Sequence, residues 1–454
     1  MNFKDILHNL PEVRGPVEKK LSFNVKLKWT IIILAAFFIL ANISLYGLKT
    51  EALMKFEYIA ILLGTDFGSI ISLGIGPIVM ASIILQLLVG SKILNIDTND
   101  PEGKKYFQGL QKLLVFGFII FESVVYTVMG GTPAQPGFAG VVIVQLMVGG
   151  TLILFMDEIC HKWGFGSGVS LFIAAGVGWR LITGLFGFLG AANQIQPIGV
   201  VPALFYNLFV IGDITGGLKA ISIILSTIII FLIIVWAQSL KIEIPLSFDR
   251  LRGYTVKWPL AFFYASNIPV ILTGAFVANL QLMGGLFQNW LGHATILGDF
   301  SNGVAVSGLS FWLGHTNILE TLITGGFRWI YLWQSFSHIF VYIVFSAMFS
   351  IFWVKTAGMD AGSQARNIIK SGLQIPGFRK DERILEAILS RYVMPLTVMG
   401  GIAVGLLASV SDIIGTITGG TALLLGIMII YQFYQNIANQ HAMDMHPAMK
   451  KMMG

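Results

Sequence analysis

The stretch SIISLGIGPIVMASIILQLLVG, residues 69–90, decides how this chain is read. It is long enough to cross a bilayer, which takes about 20 mostly apolar residues at about 1.5 Å each. Gly74, Gly76 and Pro77 lie inside it. Proline removes a backbone donor and crowds the preceding turn, so a helix facing lipid along its whole length does not place one there. Loosened backbone is tolerated at membrane depth where protein or a water-filled cavity covers it. Just before it, residues 52–63 form a second apolar stretch, too short to span and closed by Gly64 and Gly68. The pair reads as a short half-helix, a break and then a full spanning helix. Two meanings stay open: a central movable element, or a kinked helix of an ordinary bundle, since Gly and Pro are common in membrane helices.

The rest of the chain is of the same kind. Hydrophobic residues make up 55% and charged residues 11%, and the mean hydropathy is +0.78. A soluble domain does not hide that much apolar surface behind so few charges. The apolar runs are continuous rather than alternating, so strands are not expected and the fold class is all-α, a polytopic membrane protein. The single Cys160 excludes an internal disulfide framework and a thiolate metal cluster. A charged, polar start followed by a long apolar run argues against a cleaved leader.

Residues 1–28 are a basic amphipathic lead-in; Ile6, Leu7 and Leu10 suit a helix lying on the membrane surface. Ten spans follow: about 29–46, the split unit, 107–129, 138–156, 169–189, 220–240, 261–282, 330–354, 393–410 and 421–434. Lys and Arg gather in the loops after spans two, four, six and eight, including Lys104, Lys105, Lys162, Arg250, Arg252, Lys257, Arg366, Arg379 and Lys380. Basic loops stay in the cytosol, which puts both termini there. Two halves are expected, 29–190 and 191–437, the first with the half-helix 52–67 and the second with cytosolic loops 241–260 and 355–391; a tail, 438–454, follows. Five spans on each side permit an inverted repeat.

Charges within the spans are expensive and usually functional. They are scarce here: Glu122 in span three, Arg180 in span five, Asp157 and Glu158 at the end of span four. His338 near Ser335 and Ser337 suggests a dyad only superficially, because a dyad needs geometry that spacing does not supply. The expected role of His338 is a hydrogen bond to a neighbouring helix. There is no HExxH, no paired Cys/His set for a metal and no GxxxxGK[ST], so no cofactor is expected. The Met-rich tail with His441 and His446 reads as a flexible end. Gln86 and Asn267 are amides in apolar surroundings, either bonded to a nearby carbonyl or forming a weak clasp between helices that part.

Several motifs then point one way. LGIGPIVMASIILQLL at 73–88, GFGSGVSLFI at 164–173, IEIPL at 242–246, YASNIPVIL at 264–272, FRK at 378–380, PLTVM at 395–399 and GGT at 419–421 resemble, in order and along nearly the whole chain, the SecY/Sec61-alpha protein-conducting channels, the archaeal branch in particular. The resemblance implies a clamshell of two pseudo-symmetric five-helix halves around a pore. It implies a pore ring of Ile75, Val79, Val169, Ile173, Ile271 and Leu425, and a plug at 52–67 with Leu53, Phe56, Ile59, Ile61, Leu62 and Gly64. A lateral gate would lie between spans two and three and spans seven and eight, with Gln86, Glu122 and Asn267. Ribosome contacts would fall to Arg250, Arg252, Lys257, Arg379 and Lys380. Small SecE-type and Sec-beta-type subunits, nascent polypeptides, signal sequences and membrane lipid are the implied partners, and the cell membrane the implied location. The chain departs from the family pattern at Asp66, Cys160, His161 and Lys355. The implied protein is a passive conduit and not an enzyme; the rival from another class is an ion-coupled secondary transporter with a broken second helix.

Overall fold

A computed structural model describes residues 10–17, 21–49, 68–91, 93–96, 100–188, 197–248, 255–265, 267–301, 304–370, 373–374 and 381–445. The first half contains α1 (Phe23–Ala41), α2 (Gly76–Gly90), α3 (Pro101–Val128), α4 (Ala139–Trp163) and α5 (Gly168–Phe186). The second opens with α6 (Val200–Phe205), which continues as a π-helical turn (Tyr206–Ile211), then α7 (Ile214–Ser239). Strands β1 (Lys241–Phe248) and β2 (Thr255–Ala261) precede α8 (Ile268–Leu291). Next come β3 (Asp299–Ser301), β4 (Val304–Ser307), α9 (Gly308–Leu313) and α10 (Ile318–Ile323). The chain continues through α11 (Trp329–Thr356), α12 (Ala361–Lys370), β5 (Leu373–Gln374), α13 (Glu382–Ile414) and α14 (Gly420–Met445).

Among the described residues nine helices are long and apolar enough to cross a membrane. The second span is the exception. Its helix is 15 residues long, and 69–75 forms turns rather than helix, so the expected full-length span two is corrected to a short helix entered through irregular backbone. Pro77 explains where it starts: at the first turn its missing N–H has no intrahelical partner to lose. Several donors of the irregular part are met. Ile70 N–H donates to Ile43 O at 2.9 Å, Gly74 N–H to Ile71 O at 2.8 Å and Gly76 N–H to Leu73 O at 3.2 Å. Gly68 N–H donates to Ser72 Oγ, and Ser72 Oγ–H donates back to Ser69 O at 2.6 Å. Gly74 itself has φ +53°, a conformation that side chains disfavour.

Three further expectations change. Residues 10–17 are not helical; they lie along the end of α4. Trp163 Nε1–H donates to Arg14 O at 3.1 Å, Val13 N–H donates to Glu158 Oε2 at 3.1 Å, and Lys162 pairs with Glu12. Strands do occur, outside the membrane-crossing helices: β1 pairs antiparallel with β2 and β5, and β3 with β4. Finally, helices run past the predicted span limits. The seventh begins at Ile268 rather than 261, and the ninth is a 33-residue helix, starting before Arg383 and ending beyond Asp412.

Within each half the helices pack consecutively: α2 on α3, α3 on α4 and α4 on α1 and α5; then α8 on α11, α11 on α13 and α13 on α14. The halves meet along two seams. At one, α2 lies against α8 and α11; at the other, α5 lies against α14. Gly187, after the last helix of the first half, and Gly199, before the first helix of the second, are joined by a bond from Gly199 N–H to Gly187 O. This gives a clamshell with α2 at one seam and α5 at the other. The outward side of α7 carries Leu225, Ile228, Phe231, Leu232 and Trp236 exposed, as a surface facing acyl chains does.

Small residues set the tightest approaches. A Cβ on Gly149 of α4 would overlap the Ile70 carbonyl oxygen. Gly149→Ala is therefore expected to destabilise the purified protein by roughly 1–3 kcal/mol, read as a lowered thermal midpoint. Gly140→Ala, with nothing within 4 Å of the new carbon, is the control and is expected to leave the midpoint unchanged or raise it; equal effects of the two would disprove that the irregular segment is clamped there.

Candidate functional site

The six predicted ring residues come from four helices, and every one lies at the N-cap or within the first two turns. Ile75 caps α2 and Val79 follows one turn later. Val169 and Ile173 are one turn apart at the start of α5. Ile271 is in the first turn of α8, its N–H donating to Asn267 O at 3.1 Å, and Leu425 is in the second turn of α14. Residues four apart share a helix face, so α2 and α5 each offer two side chains to one place. Ile75, Val79, Ile173, Ile271 and Leu425 are buried in one continuous apolar cluster, with Val169 partly buried against it. The structure thus brings together residues spread from 75 to 425.

Asp157 positions part of this collar. Its Oδ1 accepts the Val169 N–H at 2.9 Å, capping α5 from the neighbouring helix. The sequence marked Asp157 as a charge at a span end. Its use became visible only when α4 was found to continue to Trp163. Behind it Glu158 pairs with Lys112 at 3.1 Å and Lys162 at 3.4 Å, so α3, α4 and the N-terminal segment share one ionic knot.

The predicted gate residues are all buried: Gln86 3%, Glu122 2% and Asn267 1% exposed. They do not form one cluster. Glu122 of α3 faces the start of α2, where a Cβ on Gly76 would lie 3.1 Å from its Oε2. Gln86 lies ten residues further along α2, about 15 Å away at helical rise. It sits one turn after Ser82, which accepts a 2.7 Å bond from Gln111 Nε2 of α3, and one turn before Gly90, which abuts the Phe352 ring of α11. Gln86 therefore occupies the sector of α2 between α3 and α11. Asn267 is the N-cap residue of α8. Gln86 Oε1 and Glu122 Oε2 have no hydrogen-bond partner among the described residues. Across α8 and α11, Thr273 Oγ1 and Ser346 Oγ are 3.2 Å apart.

The proposed dyad does not form. Ser335 Oγ–H donates to Tyr331 O within its own helix, and His338 Nδ1 lies 2.8 Å from Leu313 O, the bond to a neighbouring element that its position predicted. Asp412, a buried carboxylate next to His338, was missed; the apolar run ends at 410 while the helix continues to Ile414. The plug residues Leu53, Phe56, Ile59, Ile61, Leu62 and Gly64 lie outside the described residues, as do Arg250, Arg252, Arg379 and Lys380. Lys257 is placed only by its backbone, opposite Pro245 in the β1–β2 pairing.

A two-halved clamshell of membrane helices is the architecture of a protein-conducting channel. The SecY family model matches residues 69–434. Protein translocase subunit SecY of Methanothermobacter thermautotrophicus is 44% identical over 458 residues, covering 100% of this chain and 98% of that one. A solved protein-conducting channel superposes with a TM-score of 0.84 at 37% identity, covering 99% of both chains. Sec61 from a canine ribosome–channel complex of the endoplasmic reticulum gives 0.81 at 35% identity, again over 99% of both. This chain belongs to the SecY family. That membership decides for the channel over the ion-coupled transporter.

An unbonded amide oxygen in a buried seam costs about 1–3 kcal/mol. Gln86→Leu, close in volume and without the orphaned oxygen, is expected to raise the thermal midpoint of the closed protein, while Gln86→Ala, which leaves a void, lowers it. A lowered midpoint for the leucine variant would mean that the amide is satisfied in the folded protein.

Proposed function

We propose that the six-residue collar is the constriction through which an unfolded polypeptide passes, and that the α2 seam with α8 and α11 is the side exit to lipid. The supporting observation is that Ile75, Val79, Ile173, Ile271 and Leu425, at the starts of four helices of both halves, are all buried in the main apolar core, with Val169 partly buried against it. Such a collar blocks ions by excluding water. Its aliphatic side chains offer no fixed hydrogen-bond pattern, so they yield to a chain of any sequence. Because the collar is split between the halves, parting them widens it without breaking a helix.

The α2 seam suits the moving side. On α2, Gln86 is buried with an unbonded oxygen, so opening it to lipid headgroups, water or a guest helix loses little. A signal sequence or membrane helix entering there exchanges contact with protein for lipid, which its apolar surface favours. The stretch 52–67, with Leu53, Phe56, Ile59, Ile61, Leu62 and Gly64, acts as the plug below the collar in this reading. The basic residues Arg250, Arg252, Lys257, Arg379 and Lys380 meet ribosomal RNA phosphates, as cationic loops do. Small SecE-type and Sec-beta-type subunits complete the assembly in the cell membrane, with both termini cytosolic, and elongation or another motor supplies the work.

Two measurements test this. Replacing Ile75, Val79 and Ile271 together by Gly is expected to make the protein leak ions in vesicles; a variant as tight as the wild type would show that these residues are not the seal. A secretory chain stalled on the ribosome is expected to crosslink to photoreactive groups at Val79 and Ile271, and absence of crosslinks at both positions would place its path elsewhere.

A further inference from the structure

One turn along α14 from Leu425, three residues distant in sequence meet. His338 of α11, Asp412 of α13 and His315 of the α9–α10 connection each bring a ligating atom within 4.8 Å of the others. The side chains of His338 and Asp412 are 1% and 2% exposed. Among the described residues the ionic partners of Asp412 are these two histidines. Thr421 fixes the carboxylate, its N–H donating to Oδ1 at 2.7 Å and its hydroxyl to Oδ2.

The tautomer of His338 follows from its surroundings. Nδ1 lies 2.8 Å from the Leu313 carbonyl oxygen, so Nδ1 carries the proton and Nε2 a lone pair, the arrangement in which imidazole ligates metals. That lone pair points towards Asp412 Oδ2 at 3.4 Å, and Nε2 has no hydrogen-bond partner. Two buried acceptors facing each other repel unless a cation lies between them. A proton there would draw the pair to about 2.7–2.9 Å, the length of a charge-assisted bond. The 3.4 Å separation of this one pair is close to the edge of a tetrahedron whose centre is about 2.0–2.1 Å from each corner, the bond length of zinc to histidine or carboxylate, and His315 brings the third ligating atom within 4.8 Å of both.

We propose that His315, His338 and Asp412 bind one borderline divalent transition-metal ion, zinc fitting best, with water in the fourth position. Two imidazole donors disfavour calcium and magnesium, which take oxygen ligands. The ion ties the α9–α10 connection to α11 and to the α13–α14 corner, and so braces the turn of α14 that precedes Leu425. The site stands whether or not the collar is the pore.

The test uses the full chain, purified with its affinity tag removed, equilibrated with zinc chloride and then desalted. Metal content by mass spectrometry is expected to be about one zinc per chain and to fall to near zero in His315→Ala, a change confined to a connection. Cobalt in place of zinc is expected to give the visible absorption of a tetrahedral nitrogen–oxygen site in the wild type only. Should wild type and variant retain equally little zinc, a proton bridges the pair and the proposal is wrong. Equal retention by both, for instance at His441 and His446, also overturns it. If the variant does not fold, the wild-type cobalt spectrum decides, and a purely octahedral signature sinks the assignment.

Discussion

Backbone donors and acceptors within a bilayer must be satisfied by the protein itself, and residues 68–75 are where that constraint bears hardest. This segment is not helical, yet Leu73 and Ser72 are fully buried. It persists because the Ile43 carbonyl, the Ser72 hydroxyl and its own turn take up its hydrogen bonds, and because Gly149 lets α4 lie directly on the Ile70 carbonyl. Breaking the second span lets α2 begin at Gly76, so Ile75 and Val79 enter the apolar core from a helix end rather than from the flank of a long rod.

The two halves are held with different firmness by the same chemistry of contact. In the second half α13 approaches α11 through Gly401 and Gly405, where a Cβ on either would meet Ser350, Ala347 or the Tyr342 carbonyl at 2.6–3.0 Å. Close backbone approach of this kind is the main adhesive between helices in lipid. Thr273 and Ser346 add a polar contact between α8 and α11. Beside α2, by contrast, lie Gln86 and Glu122, each with a buried oxygen unbonded among the described residues. The opening proposed above parts the molecule at that less satisfied side. The ionic knot of Glu158 with Lys112 and Lys162 lies within the first half and does not oppose that motion.

Much of this was legible beforehand. Continuous apolar runs announced nearly every helix, Pro77 and its glycines announced the break, and the ordered motifs announced the channel family. The misses have two causes, and the first is the helix boundary. Hydropathy falls where the bilayer ends, but hydrogen bonding continues, so α4 carries Asp157 and α13 carries Asp412 inside regular helix. β1 and β2 were missed because a hairpin between spans does not show in a hydropathy reading, although the alternation in IEIPL is a weak strand signal.

What the amino-acid order alone determined was which segments enter lipid, since that depends on the transfer free energy of consecutive side chains, a local sum. It also determined where a span had to break, since proline's missing donor is a property of one residue. Only the tertiary structure decided that the six aliphatic residues between positions 75 and 425 enter one apolar core from four helix starts, that Glu122 faces Gly76 rather than Gln86, and that His315, His338 and Asp412 lie together. Those outcomes depend on how helices rotate and cross. Rotation is set by interlocking side chains from distant parts of the chain, which no local sum contains.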